Sequence, residues 1–165
     1  MKKIISLVLC ICCVMCCITS CAGNGDTPTT SGDTTVDATN YAKASFEIFV
    51  SGKDGERYNE YVPENKEQFD AYAERAINGV IFNDKIDIII SLADNISSFD
   101  ASAYKNIDYI SADEEINADG DLVSVTLKVF EHKMQDAVDD IEALLANEQV
   151  KKVTVKTYSA KIIDE

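Results

Sequence analysis

Tryptophan is absent from this chain, histidine occurs once as His132, and no cysteine stands beyond residue 21. Each shortage removes a class of chemistry. Any imidazole general base or Ser-His-Asp triad must be built on His132. That residue lies between an alternating apolar run and a helical one, a setting typical of a surface histidine. There is no Gly-rich phosphate loop, no G-x-S-x-G turn and no H-E-x-x-H zinc motif. Positive charge is also scarce: 15 Lys and Arg stand against 29 Asp and Glu, a net charge of −14. Such a chain repels phosphate backbones and anionic headgroups, so nucleic-acid binding is not expected. Cationic partners and divalent metals are favoured electrostatically, although solubility alone accounts for an acidic surface.

The cysteines that are present crowd into one stretch, CICCVMCCITSC, from Cys10 to Cys21. Zinc needs ligands on separate turns that converge on one ion. Here no His, Asp or Glu lies among the cysteines, and they sit in an apolar run, Ile4 to Ile18, preceded by Lys2 and Lys3. A basic start, an apolar core and small residues at its end make a secretory leader. The run is shorter than the roughly 20 residues of a membrane-spanning helix. Inside it, Cys10, Cys12, Cys13, Cys16 and Cys17 act as small hydrophobes.

The end of that run, Ile18-Thr19-Ser20-Cys21, resembles the lipobox of bacterial lipoproteins, with Ile18 where that family prefers Leu. The resemblance covers the leader alone. It implies a diacylglyceryl group on the Cys21 sulfur and cleavage that leaves Cys21 as the first residue. It also implies an extracytoplasmic protein anchored on the outer leaflet or periplasmic side of the cell membrane. Two acyl chains hold stably where one binds marginally, at about 0.8 kcal/mol per buried methylene. Cys21 is then the sole cysteine, so no intramolecular disulfide forms even in an oxidising compartment. Loss of the leader leaves 13 basic residues against 29 acidic, a net charge of −16.

The expected organisation is a leader over 1–20, the lipidated Cys21 and a tether over 21–39, and one acidic domain over 40–165. Ala22 to Thr39 is Gly, Thr, Asp and Ser with little apolar bulk, too little to offset the entropy of ordering. As a random coil it spans roughly 20–25 Å. The domain is long enough to bury about two thirds of its unfolded surface.

Within the domain, Ala44 to Ser51 alternates with Phe46, Ile48 and Val50 on one face, which predicts a strand. Lys53-Asp54-Gly55 predicts a hairpin turn and Arg57 to Val62 its return strand. Pro63 predicts the entry to a helix over about Glu64 to Asn78, with Phe69, Tyr72, Ala73, Ala76, Ile77 and Val80 as its apolar stripe and Gly79 as its cap. Asp84 to Ser97 fits two periods. A strand aligns Ile86, Ile88, Ile90 and Leu92 but leaves Ile89 on the polar side. A helix aligns Ile86, Ile89, Ile90, Ala93 and Ile96 over more length, and a helix is expected. Strands are expected over Asn106–Ile116, Leu122–Glu131 and Val150–Ile162. A turn at Asp119-Gly120 joins the first two. Val123, Val125, Leu127 and Val129 should face the core from the second, and Val153 and Val155 from the last. A helix carrying Met134, Ala137, Val138, Ile141, Leu144 and Leu145 precedes the last strand. The sum is an α+β two-layer domain, with helices on one face of an antiparallel or mixed sheet. In element order it is similar to a ferredoxin-like split βαβ, a likeness that carries no function.

The densest set of oxygen ligands is DEEINADGD, with Asp113, Glu114, Glu115, Asn117, Asp119 and Asp121. Calcium takes six to eight such oxygens. Aligned as an EF-hand on Gly120, the loop puts Glu115, Asn117 and Asp119 at ligand positions but Thr126 where the closing acid belongs. A solvated hairpin tip is therefore expected. Asp136, Asp139, Asp140 and Glu142 crowd one helix without a cleft between them, the pattern of a solvated face rather than of a glycosidase pair. Tyr58 and Tyr61 on a candidate edge strand could meet a partner by strand addition. No catalytic constellation and no cofactor motif is found. A non-catalytic membrane-anchored binding module for a protein or surface polymer is the expected role. A metal-dependent envelope enzyme using carboxylates such as Asp119 and Asp121, or a small solute-binding lipoprotein, is the alternative.

Overall fold

The computed structural model describes residues 39–52, 55–80 and 84–158. The leader, Cys21, the tether up to residue 38, Lys53 and Asp54 of the first turn, and the end of the last expected strand lie outside these residues. The described residues belong to one compact unit. Its strands are β1 (Ala44–Gly52), β2 (Gly55–Tyr61), β3 (Lys85–Leu92), β4 (Tyr109–Ile116), β5 (Leu122–Phe130) and β6 (Val150–Thr157). Its helices are α1 (Lys66–Asn78) and α2 (Glu131–Ala146), with short 3-10 turns at Tyr41–Lys43 and Ala101–Ala103.

The strands form a single mixed sheet in the order β2-β1-β6-β3-β5-β4. Of the hydrogen-bonded neighbours among the described residues, β1 and β6 alone are parallel. Alternation decides which side each residue takes. Phe46, Ile48, Val50, Ile86, Ile88, Ile90, Leu127, Val129, Val153 and Val155 all point to one face and are buried there. Both helices cover that face. α1 contributes Phe69, Ala73 and Ala76, and α2 contributes Met134, Ala137, Ile141, Leu144 and Leu145. The chain is thus an α+β two-layer domain with a six-stranded mixed sheet. In its second half β5 and β6 lie parallel on either side of antiparallel β3 and are joined by α2, which is a split βαβ unit.

The segment expected as a helix over Asp84 to Ser97 is instead the central strand β3. It buries Ile86, Ile88, Ile90 and Leu92 and leaves Ile89 half-buried on the uncovered face. Strands on both flanks satisfy its backbone groups, and its run of β-branched isoleucines suits a pleated surface. Tertiary pairing overrides the longer helical period. The chain then turns at Asn95, whose φ of 63° is left-handed, a conformation Asn tolerates.

Three further expectations change in detail. Val123 is half-buried rather than in the core. The pairing shifts from Glu115↔Ser124 to Ile116↔Leu122, which makes Val123 the extra residue of a bulge. α1 begins at Lys66 rather than about Glu64, because the Asn65 side chain caps it by accepting a hydrogen bond from Gln68 N at 3.0 Å. Gly79 ends that helix with φ −80°, not in a left-handed cap. A Cβ there would lie 2.9 Å from the Arg75 carbonyl oxygen, so close approach is what requires glycine.

The strand assignment of β3 has a direct test. Ile88→Ala is expected to lower unfolding free energy by about 2–5 kcal/mol. Ile89→Ala, on the other face, should cost about 1 kcal/mol or less. Urea denaturation separates the two, and equal losses would contradict the burial pattern.

Candidate binding face

The sheet has a second face that the two helices leave open. Alternation places Glu56, Tyr58 and Glu60 of β2 on it, with Ser45, Glu47 and Phe49 of β1. Register across the sheet adds Lys152, Thr154 and Lys156 of β6, Asp87 and Ile89 of β3, Thr126 and Lys128 of β5, and Asp113 and Glu115 of β4. Tyr158, just past β6, joins them.

Most charges on this face are matched by a neighbour. Lys156 Nζ lies 3.3 Å from Glu47, and Lys152 Nζ lies 3.2 Å from Glu60. Lys128 Nζ sits between Asp87 at 3.7 Å and Asp113 at 3.8 Å. The Glu60 carboxylate also accepts the Ser45 hydroxyl at 2.7 Å. That hydrogen bond, with Lys152 behind it, holds Glu60 below the usual carboxylate range. Asp87 is only 6% exposed and accepts the Tyr158 hydroxyl at 2.8 Å. Desolvation, and then this bond to a carboxylate, pushes Tyr158 up to about 12.

Aromatic rings gather at the β2 side. Phe49 and Tyr58 meet edge to face at 5.2 Å. The Lys156 ammonium lies 5.0 Å from the Tyr58 ring centre and 5.6 Å from that of Tyr158, within cation–π range. Tyr58 is 45% exposed and Tyr158 49%. β2 is an edge strand, as strand addition requires.

Tyr58 and Tyr61 do not form one surface. An odd separation in a strand sends the two side chains to opposite faces. Tyr61 lies on the helix side, 5.2 Å from the Tyr72 ring and 4.8 Å beneath the Arg75 guanidinium. Tyr61 is therefore part of the packing between β2 and α1, and Tyr58 alone remains on the open face. Phe49, Lys156 and Tyr158 were not singled out from sequence. The alternation of β1 and β6 carried that signal.

The acidic hairpin is organised as a turn. The Asn117 side-chain oxygen accepts from Asp119 N at 3.0 Å and from Asp121 N at 2.9 Å. Gly120 takes the positive φ of 91°. Glu115 accepts the Ser124 hydroxyl at 3.0 Å. Among the described residues no group of three or more His, Cys, Asp or Glu side chains is arranged to hold a metal ion. His132 is exposed on the first turn of α2, stacked 5.6 Å from Phe130. Of the helix carboxylates, Asp136 and Asp139 are exposed. Asp140 and Glu142 have structural partners. Asp140 accepts from Asn106 N at 2.6 Å. Glu142 accepts the Tyr41 hydroxyl and lies 3.1 Å from Lys66 Nζ. Those two bonds fix the start of the domain to α1 and α2.

Two open depressions lie on the helix side. One, of about 770 Å³, runs between Asn106–Tyr109 and the start of α2, with Lys105 and Lys133 on its rim. The other, of about 450 Å³, is the groove between α1 and α2. Among the described residues no helix is long and apolar enough to cross a membrane. No family model matches the chain, and no curated protein or solved structure is similar to it.

The Tyr158–Asp87 bond predicts an alkaline limit. A tyrosine whose folded pKa exceeds its ordinary value of 10.0 adds stability below pH 10 that is lost as pH rises toward about 12. Tyr41, held protonated chiefly by Glu142, adds to the same decline. Tyr158→Phe should flatten the fall in stability across that window, measured by denaturation at stepped pH. An unchanged slope would remove Tyr158 as its source.

Proposed function

We propose that this chain is an extracytoplasmic bacterial lipoprotein, anchored through Cys21, that serves as a non-catalytic binding module for a protein or surface polymer. The observation that carries the anchor is Ile18-Thr19-Ser20-Cys21 directly behind a basic, apolar leader. Support for binding comes from the exposed Tyr58 on an edge strand, flanked by Phe49, Lys156 and Tyr158. Tyrosine joins apolar area to a polar tip, and edge strands offer unpaired backbone groups to a second chain. Among the described residues of the open face, Lys128, Lys152 and Lys156 engage Asp87, Asp113, Glu60 and Glu47 in ion pairs.

Two measurements test this reading. Cells fed an alkyne-tagged palmitate should label the wild-type chain and retain it in the membrane fraction. Cys21→Ala should lose the label and that retention. Persistent labelling of the variant would remove Cys21 as the anchor. The lipidated chain, used as bait in solubilised membranes, should then enrich a partner over a charge-matched acidic protein. Tyr58→Ala should abolish the enrichment, and Tyr61→Phe should not. Enrichment that survives Tyr58→Ala would move the contact off the open face.

A further inference from the structure

Both faces of the domain carry paired lysines. On the open sheet face Lys128, Lys152 and Lys156 each lie within 4.0 Å of a carboxylate. On the helix side Lys66 and Lys133 lie within 4.0 Å of Asp70 and Asp108, but among the described residues one stretch between the helices has no cation along it. α1 and α2 enclose a groove of about 450 Å³ floored by Ala73, Ile77 and Val138. Asp70 and Glu74 of α1 and Asp139 of α2 stand along its rim. Among the described residues no Lys or Arg lines it. Lys66 meets Asp70 at 2.6 Å at one end. Glu74 and Asp139 make no hydrogen bond or ion pair with any described residue.

We infer that this groove is a docking surface for an amphipathic cationic helix of a partner protein. Charge complementarity selects the occupant. Carboxylates on both rims repel anionic lipid headgroups and acidic peptides, and they attract Lys or Arg. The aliphatic floor favours apolar side chains over a bare inorganic cation, and the carboxylates do not converge as metal ligands do. A trough between two helices is filled by a third helix, with aliphatic anchors at i, i+3 and i+4 and basic residues on either flank. The lining stretch of α1, Asp70 to Asn78, is about 13 Å long, which matches two to three turns of a docked helix. The inference is independent of the anchor on Cys21 and of Tyr58, which lies on the opposite side of the sheet.

The probe is a synthetic peptide of about 14 residues, long enough to cover the trough, with Leu on one helical face, Lys on the other and a photoreactive leucine analogue. A second peptide replaces Leu with Ser at equal charge. The full chain is used in zwitterionic detergent, which keeps it in solution with or without a lipid on Cys21, and detergent alone is subtracted. The Lys/Leu peptide should bind at least about tenfold more tightly than the Lys/Ser peptide and cross-link to α1 and α2 beside Ile77 and Val138. The double variant Glu74→Lys, Asp139→Lys should weaken it by about tenfold or more and remove those cross-links. The double variant Asp113→Lys, Glu114→Lys, equal in charge change but on β4, should leave both unchanged. Thermal melts of both variants confirm folding. Equal binding of the two peptides, equal weakening by the two variants, or cross-links away from α1 and α2 would each overturn the inference.

Discussion

Asp87 stands on the central strand of the sheet, almost fully buried, on the face that neither helix covers. An uncompensated charge at such a place is strongly destabilising, so its partners are obligatory. They come from both neighbouring strands: Lys128 from β5, and the Tyr158 hydroxyl from the end of β6. The contact therefore joins β3 to its two flanking strands. A one-residue slip of either neighbour would send its group to the core face and leave Asp87 with one partner fewer. The isoleucines on the other side of β3 impose the same register through burial. Apolar and polar constraints agree, and that agreement makes the centre of the sheet unique.

From that centre the sheet extends by different means on its two sides. Toward β1 the pairing with β6 covers only Ala44–Glu47 against Val153–Lys156. Beyond it the buried Thr157 hydroxyl accepts a hydrogen bond from Phe49 N at 2.9 Å, so the side chain continues what the backbone ladder stops. Toward β4 the bulge at Val123 increases local twist and ends the core. β4 is consequently an exposed, acidic edge, with Asp113, Glu114 and Glu115 in sequence. Like-charged edges discourage pairing with another copy of the same strand. The β2 edge, GERYNEY, carries mixed charge and an exposed tyrosine, and lacks that protection.

Much of this fold was legible in the chain. Phe46, Ile48 and Val50 alternate, and Met134 to Leu145 repeat at helical spacing, so β1 and α2 follow from local pattern alone. β3 was not legible, because Ile86 to Ile90 satisfies a period of two and a period of 3.6 together. The residue that breaks the tie is Asp87, which reads as a polar helix position until Tyr158, 71 residues away, is seen to bond it. The candidate site divides the same way. That Tyr58 and Tyr61 diverge follows from their odd spacing in a strand. The cluster of Phe49, Tyr58, Lys156 and Tyr158 draws on three separate chain segments, and the groove between α1 and α2 exists only once both helices pack on one face. Single-sequence patterns hold the polar stripe of each helix but not the space between them.

The two faces offered to a partner obey different physics. On the open face Lys128, Lys152 and Lys156 each pair with a carboxylate within 4.0 Å. A contact there would draw on aromatic area and on backbone groups at the β2 edge. On the helix side Glu74 and Asp139 set a local negative field at the rim of the groove, with Lys105 and Lys133 beside Asp136 and Asp139 in the neighbouring depression. It reaches about 8 Å at physiological ionic strength and about 30 Å in dilute buffer. A contact there forms fast at low salt and weakens as salt rises. The two faces thus differ in kind: an aromatic cluster at the β2 edge marks one, and an apolar groove rimmed by carboxylates marks the other.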